Sequence, residues 1–194
     1  TWNTPEAIQE FLADPANQLK MNATTPVVLN DAAIDDANTL LLDNVTVQSE
    51  GKLQVTVDQV FEVLNTTAGS ELIIPSNGKV SVEYASTFAG NTTVDQLAEL
   101  HINDKASIDN DGEFSLNGTL HIAAFTDVTT FINDGTFNLY KYGNLLGVEA
   151  LTRDRFINNG TFNYVENGTN TYVDFIEYGV TVAEINDDNK STAL

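Results

Sequence analysis

The sequence predicts an all-β solenoid. Three observations predict it: a nine-residue unit that recurs along the chain, a glycine that returns in every copy, and apolar residues alternating with a period of two behind each glycine. The unit is clearest at Phe131-Ile132-Asn133-Asp134-Gly135-Thr136-Phe137-Asn138-Leu139, and it returns as Phe156-Ile157-Asn158-Asn159-Gly160-Thr161-Phe162-Asn163-Tyr164. The same frame reads Ile108-Asp109-Asn110-Asp111-Gly112-Glu113-Phe114-Ser115-Leu116, and further upstream Ile74 to Val82 and Val47 to Val55. The glycine column is then Gly51, Gly78, Gly112, Gly135 and Gly160, at spacings of 27, 34, 23 and 25 residues.

Each copy reads as strand, turn, strand. Val47, Ile74, Ile108, Phe131 and Phe156 open the units, and Ser49, Ser76, Asn110, Asn133 and Asn158 supply a turn former before the glycine. The glycine is expected to take a positive φ at no steric cost. Behind it, Leu53, Val80, Phe114, Phe137 and Phe162 form one apolar column, and Val55, Val82, Leu116, Leu139 and Tyr164 another. A unit this short cannot bury its own apolar face, so the copies must stack, like residue over like. Stacking also predicts a side-chain amide ladder through Asn110, Asn133 and Asn158.

The remaining elements follow in order. Thr4-Pro5-Glu6 is a helix start, and Ala7, Ile8, Phe11 and Leu12 share one face before Asp14-Pro15 ends the run. Residues 4–13 are therefore expected to cap the first coil, which would otherwise expose apolar groups and strand edges. Coils occupy 27–182, about 23 to 27 residues each, and Asn117-Gly118 and Asn167-Gly168 read as further corners. The spacing of 34 predicts an insertion near Ser86–Leu97, a loop of the kind that carries binding. Residues 183–194 lack pattern and read as a tail or linker, so 1–194 form a single domain.

An N-terminal amphipathic helix followed by these repeats resembles the right-handed parallel β-helix proteins called pectin-lyase-like. The Asn-Asp-Gly-Thr-Phe and Asn-Asn-Gly-Thr-Phe units are similar to those of its bacterial surface and adhesin-like members. That resemblance implies architecture across residues 4–182. Function must come from a site, because the scaffold serves lyases, hydrolases, tailspikes and adhesins alike.

Composition narrows the partners. Eight Lys and Arg stand against 28 Asp and Glu, a formal charge of −20, which argues against nucleic acid and anionic membrane. No apolar run reaches membrane-spanning length, so no membrane insertion is expected of this stretch. Cysteine is absent, and the abrupt start at Thr1 suggests a mature or truncated chain with any anchor outside it. Eight N-x-Ser/Thr sequons, at Asn22, Asn44, Asn65, Asn91, Asn117, Asn159, Asn167 and Asn189, would be surface sites in a host that glycosylates and otherwise follow from a repeat rich in Asn and Thr.

Catalytic chemistry is mostly missing. Lyases of this fold need a strong base beside a cation, and the arginines here are Arg153 and Arg155, flanking Asp154. Hydrolases of the fold carry grouped aspartates with Gly-His-Gly, whereas His101 and His121 sit alone in strand-like runs. Asp109, Asp111 and Glu113 alternate around Gly112 and offer oxygen ligands for Ca²⁺, though turn chemistry explains the motif without it. No cofactor is called for. The expectation is a secreted or surface-attached, adhesin-like protein that recognises carbohydrate or a protein partner, outside the cell or at its surface. Exposed Phe88, Tyr140 and Tyr142 would line its binding side. The alternatives are a carbohydrate-active enzyme using Arg153 and Arg155, and a structural stalk or spacer.

Overall fold

The computed structural model describes residues 27–29, 41–47, 49, 51–56, 58–148, 154–165, 168–171, 173–177 and 182–184. The helix expected over 4–13 lies outside these residues. Within them the chain is a parallel β-solenoid with three strands to a coil. Face A is an eight-stranded sheet built from Val27–Leu29, Lys52–Val55, Glu71–Ile74, Asn91–Val94, Glu113–Leu116, Thr136–Leu139, Thr161–Tyr164 and Val182–Glu184. A second sheet of twelve strands supplies the other two faces. Its joint is the long strand Asp58–Thr66, whose first half pairs with Lys79–Val82 and whose last residue pairs with Phe88. Face B continues from that strand through Lys79–Val82, Glu99–Ile102, Thr119–Ile122, Asn144–Leu146 and Thr169–Thr171. Face C runs through Ser86–Phe88, Ser107–Asn110, Thr129–Asn133, Asp154–Asn158 and Asp174–Glu177.

Alternation along each short strand sends one set of side chains inward and the other to solvent. On face A, Leu72, Thr92, Phe114, Phe137 and Phe162 stand in register and are buried. Phe114, Phe137 and Phe162 stack with centroids 5.1 and 5.2 Å apart. A second column from face C, Phe131 over Phe156 at 5.1 Å, meets them edge to face at interplanar angles of 80° to 84°. Offset stacking within a column and T-shaped contact between columns are the two arrangements that the ring quadrupole favours.

The glycine column is real, but its register differs from the expectation at one copy. Gly51, Gly90, Gly112, Gly135 and Gly160 share the corner between faces C and A, with Ser70 in the missing place. Gly78 belongs to the other corner, between faces A and B, with Gly118, Gly143 and Gly168. Val80 is accordingly a face B residue, and Leu72 and Thr92 fill the face A column. The insertion near 86–97 disappears with the correction, because Ser86–Phe88 and Asn91–Val94 are ordinary strands on either side of Gly90. Nor is positive φ the reason for the corner glycines: among the described residues Gly69 alone of the glycines has it. A Cβ on Gly135 would lie 2.2 Å from the Gly112 carbonyl oxygen, and one on Gly160 2.1 Å from that of Gly135. Backbone crowding between coils excludes a side chain at these two positions.

Coil length grows along the rod. Strands of face A begin at 52, 71, 91, 113, 136 and 161, giving coils of 19, 20, 22, 23 and 25 residues. Nearly all the growth falls between faces B and C: no linking residue within Asp58–Thr66, then 83–85, 103–106, 123–128 and 147–153. The longer links are held by aspartate side chains from the same coil or a neighbouring one. Asp104 accepts the backbone N–H groups of Phe125, Thr126 and Asp127 at 2.9 to 3.0 Å, and the Thr126 hydroxyl as well. Those bonds hold its carboxyl well below the usual carboxylate range. Asp154, fully buried, accepts Ala124 N–H and Val148 N–H, each at 2.6 Å. Burial raises its pKa and the two donors oppose the rise.

The expected amide ladder is present. Asn110 Nδ2 donates to Asn133 Oδ1 and Asn133 Nδ2 to Asn158 Oδ1, each at 2.7 Å, and all three residues are fully buried. Asn133 Nδ2 also reaches Thr161 O at 3.0 Å. The ladder ends below Asn110 because the register partner there is Phe88, which offers no donor to Asn110 Oδ1. Asn133→Ala would strand the side-chain carbonyl of Asn158 and leave Asn110 Nδ2 only its longer bonds to Gly112 O and Thr136 O, at 3.4 and 3.3 Å, and should cost about 2 to 4 kcal/mol in a denaturant titration. Asp154→Ala should cost about 2 to 4 kcal/mol by orphaning two buried N–H groups, whereas Asp154→Asn, which keeps an acceptor, should cost less. Equal losses for the alanine and asparagine variants would remove Asp154 from its bridging role.

Candidate functional site

The corner between faces A and B builds a cleft from three successive coils. As the chain leaves each face A strand, the next N–H bonds to the coil beneath: Asp95 to Ile74 O at 2.9 Å, Asn117 to Val94 O at 2.8 Å, and Tyr140 to Leu116 O at 2.9 Å. Asp95, Asn117 and Tyr140 therefore stack as a column. Beside it, Thr93 and Ser115 point outward from face A in register, their flanking residues Thr92, Val94, Phe114 and Leu116 being buried. These five side chains line a shallow cleft of about 260 Å³. It offers one phenol ring, two hydroxyls, an amide and a carboxylate.

Two exposed apolar groups occupy the same corner. Tyr142 is 55% exposed, with Lys141 Nζ 5.5 Å from its ring centroid. Leu97 is 71% exposed and holds φ at 68°. A bulky residue in that left-handed region is strained by roughly 1 to 2 kcal/mol, and exposure gives it no burial in return.

Of the aromatic residues expected to line a binding side, Tyr140 and Tyr142 meet at this corner. Phe88 does not: it is fully buried on face C, its ring 6.4 Å from Phe114, because the segment that holds it is a strand of the stack and not a projecting loop. Arg155 lies on face C, in register between Thr130 and Asp174, and Arg153 lies outside the described residues. Of the cleft residues, Thr93 and Asp95 fall in the 86–97 stretch expected to carry binding, though as strand and corner and not as a projecting loop, and Ser115 carried no mark in the sequence. Their alignment follows from the register of Gly118 and Ala98 at the corner, which the misplacement of Gly78 obscured.

Stacking also assembles charges. Asp109 and Asp111 come together with Asp134 of the next coil, their carboxylate oxygens within 4.8 Å of one another. Glu113 is not among them. It faces out from face A and accepts Asn138 Nδ2 at 2.9 Å. Burial, then Asp111, then Asp134 push the Asp109 carboxyl up to about 6. The two histidines are not solitary either, since they occupy register positions on adjacent strands of face B. Burial, with His101 adding to it, pushes the His121 imidazole down to about 4.

The raised Asp109 predicts a pH signature. A carboxyl whose folded pKa is raised gains its proton in the folded state first, so its cost to stability is absent below its unfolded value of 3.8 and grows as pH rises toward about 6. After discounting for solvent screening of a partly exposed group, Asp109→Asn should stabilise by about 1 kcal/mol at neutral pH. At about pH 4 the gain should vanish. Thermal unfolding at the two pH values checks it, and an equal gain at both would tie the effect to packing instead. No protein-family model, no curated protein and no solved structure matches the chain.

Proposed function

We propose that the chain is a binding protein of adhesin-like type, a right-handed parallel β-helix working outside the cell or at its surface, that recognises neutral carbohydrate at the corner between faces A and B. One observation carries the reading: Tyr140 stands over a cleft whose other walls are Thr93, Asp95, Ser115 and Asn117. A tyrosine ring packs against the apolar face of a sugar, while hydroxyl, amide and carboxylate groups exchange hydrogen bonds with its hydroxyls. The formal charge of −20 favours a neutral glycan over an acidic one. Tyr142 and Leu97 extend the apolar area along the same corner, as a ligand longer than one residue would require.

Calcium belongs to this reading as an accessory. Asp109, Asp111 and Asp134 would hold it, and three carboxylates would need waters or ligand hydroxyls to complete roughly six to eight oxygens. The enzyme alternative rests on Arg153 and Arg155, and Arg155 stands on face C, not beside the cleft. For a spacer, no column should be distinguished from the rest; Tyr140 and its polar companions make one that is.

A glycan array of neutral and acidic oligosaccharides tests the proposal. Neutral glycans should bind, and Tyr140→Ala should weaken the best of them by about tenfold or more, with Asp95→Asn also weakening it. Tyr142→Ala should cost less. Absence of any glycan binding, or binding indifferent to Tyr140→Ala, would reject this site.

A further inference from the structure

Face B carries two outward columns over its middle coils. Lys79, Glu99, Thr119 and Asn144 form one, and Ser81, His101, His121 and Leu146 form the other, each in continuous register. His101 and His121 are therefore directly opposed on neighbouring parallel strands. Their rings lie nearly parallel, 13° apart in orientation, with centroids 4.1 Å apart. Glu99, two residues before His101 on the same strand, turns its carboxylate to both: Oε2 is 2.7 Å from His101 Nε2 and 3.9 Å from His121 Nε2. All three donor atoms fall within 4.8 Å of one another.

We propose that Glu99, His101 and His121 form a binding site for a divalent transition-metal ion, Zn²⁺ first, that clips two adjacent coils together. Two imidazoles and one carboxylate are a borderline donor set that suits Zn²⁺, Cu²⁺ or Ni²⁺, whereas Ca²⁺ and Mg²⁺ prefer oxygen alone. Three protein ligands leave a fourth position for water or an incoming ligand. The donors stand on central strands of the stack, so the backbone that carries them is held by hydrogen bonds on both sides. The His101, His121 and Glu99 side chains are 20%, 25% and 45% exposed, which leaves an ion a direct path from solvent.

Tetrahedral metal bonds of about 2.0 to 2.2 Å hold donors roughly 3.3 to 3.6 Å apart, so Glu99 and His101 must open from 2.7 Å and Glu99 and His121 close from 3.9 Å, by pivots about their side-chain torsions. Their partial exposure leaves room for that. Lys79, in register with Glu99, is the nearest opposing charge, and its Nζ is engaged by Asp58 Oδ2 at 3.1 Å on the preceding coil. The chain's net charge concentrates cations around the face. This site is separate from the cleft and does not rest on the carbohydrate reading.

The composition makes the test unusually clean, since the chain has 2 histidines and no cysteine. Any imidazole response to a metal must come from these two rings. The whole chain is titrated with ZnCl₂ and followed by isothermal calorimetry and by imidazole ¹H–¹⁵N correlation NMR. The expected result is one equivalent bound, both imidazole sets shifted together, reversal by EDTA, and a rise in Tm. His101→Ala and His121→Ala should each weaken binding about tenfold or more, and Glu99→Gln by about tenfold, judged against the metal-free circular dichroism of each variant. Glu71→Gln, which removes a surface carboxylate on face A, should leave the affinity unchanged. Zn²⁺ binding that leaves the imidazole signals unmoved, that survives the double histidine variant, or that is absent overturns the site. Should one histidine variant fail to fold, the NMR shifts of the unaltered chain decide the matter alone.

Discussion

Every feature of this molecule depends on one constraint: parallel, in-register stacking puts each residue directly against its counterparts one coil above and below, at the strand spacing of about 4.8 Å. A column is therefore a self-interaction repeated along the rod. Residues that attract their own kind at that distance stabilise the stack, and residues that repel it carry a cost. Phenylalanine satisfies the rule by stacking, and asparagine by donating from its amide nitrogen to the next amide oxygen, as Asn110, Asn133 and Asn158 do. Glycine satisfies it by having nothing to place between the Gly112 and Gly135 backbones.

The same rule explains where chemistry collects. Stacking brings Asp109 and Asp111 close to Asp134, and His101 directly against His121, whatever the electrostatic cost. In a globular fold those groups could turn apart. Here the ladder of backbone bonds fixes their origins, so only side-chain torsions or a bound cation can relieve the crowding. The polar cleft arises by the same route, from Asp95, Asn117 and Tyr140 at one corner of three successive coils. Between faces B and C the rule relaxes, because the links there grow from coil to coil. Asp104 reaches to the next coil, and Asp154 to its own link and the one before, to satisfy backbone N–H groups that the ladder leaves unpaired.

Architecture was written plainly in the chain. Alternation around Gly112, Gly135 and Gly160 is local, and a local period of two can be read without knowing what lies above or below. The amide ladder was legible for the same reason, since equal positions in adjacent copies must meet. Reading failed at Gly78. Two glycine-bearing corners per coil have the same turn chemistry, and nothing local says which corner a given glycine occupies. That single slip turned two regular strands into an insertion, and it placed buried Phe88 in solvent.

By itself, then, the sequence determined that strands form, that they stack, and which residues face inward around the strong repeats, because these depend on periodicity within a few residues. Tertiary structure alone decided which outward side chains become neighbours. Residues 20 to 25 apart, such as His101 and His121 or Asp95, Asn117 and Tyr140, meet only after every coil length between them is settled. Those lengths are set by links between faces B and C that carry no repeat to read. Their side chains answer to the coils they bridge, not to one another.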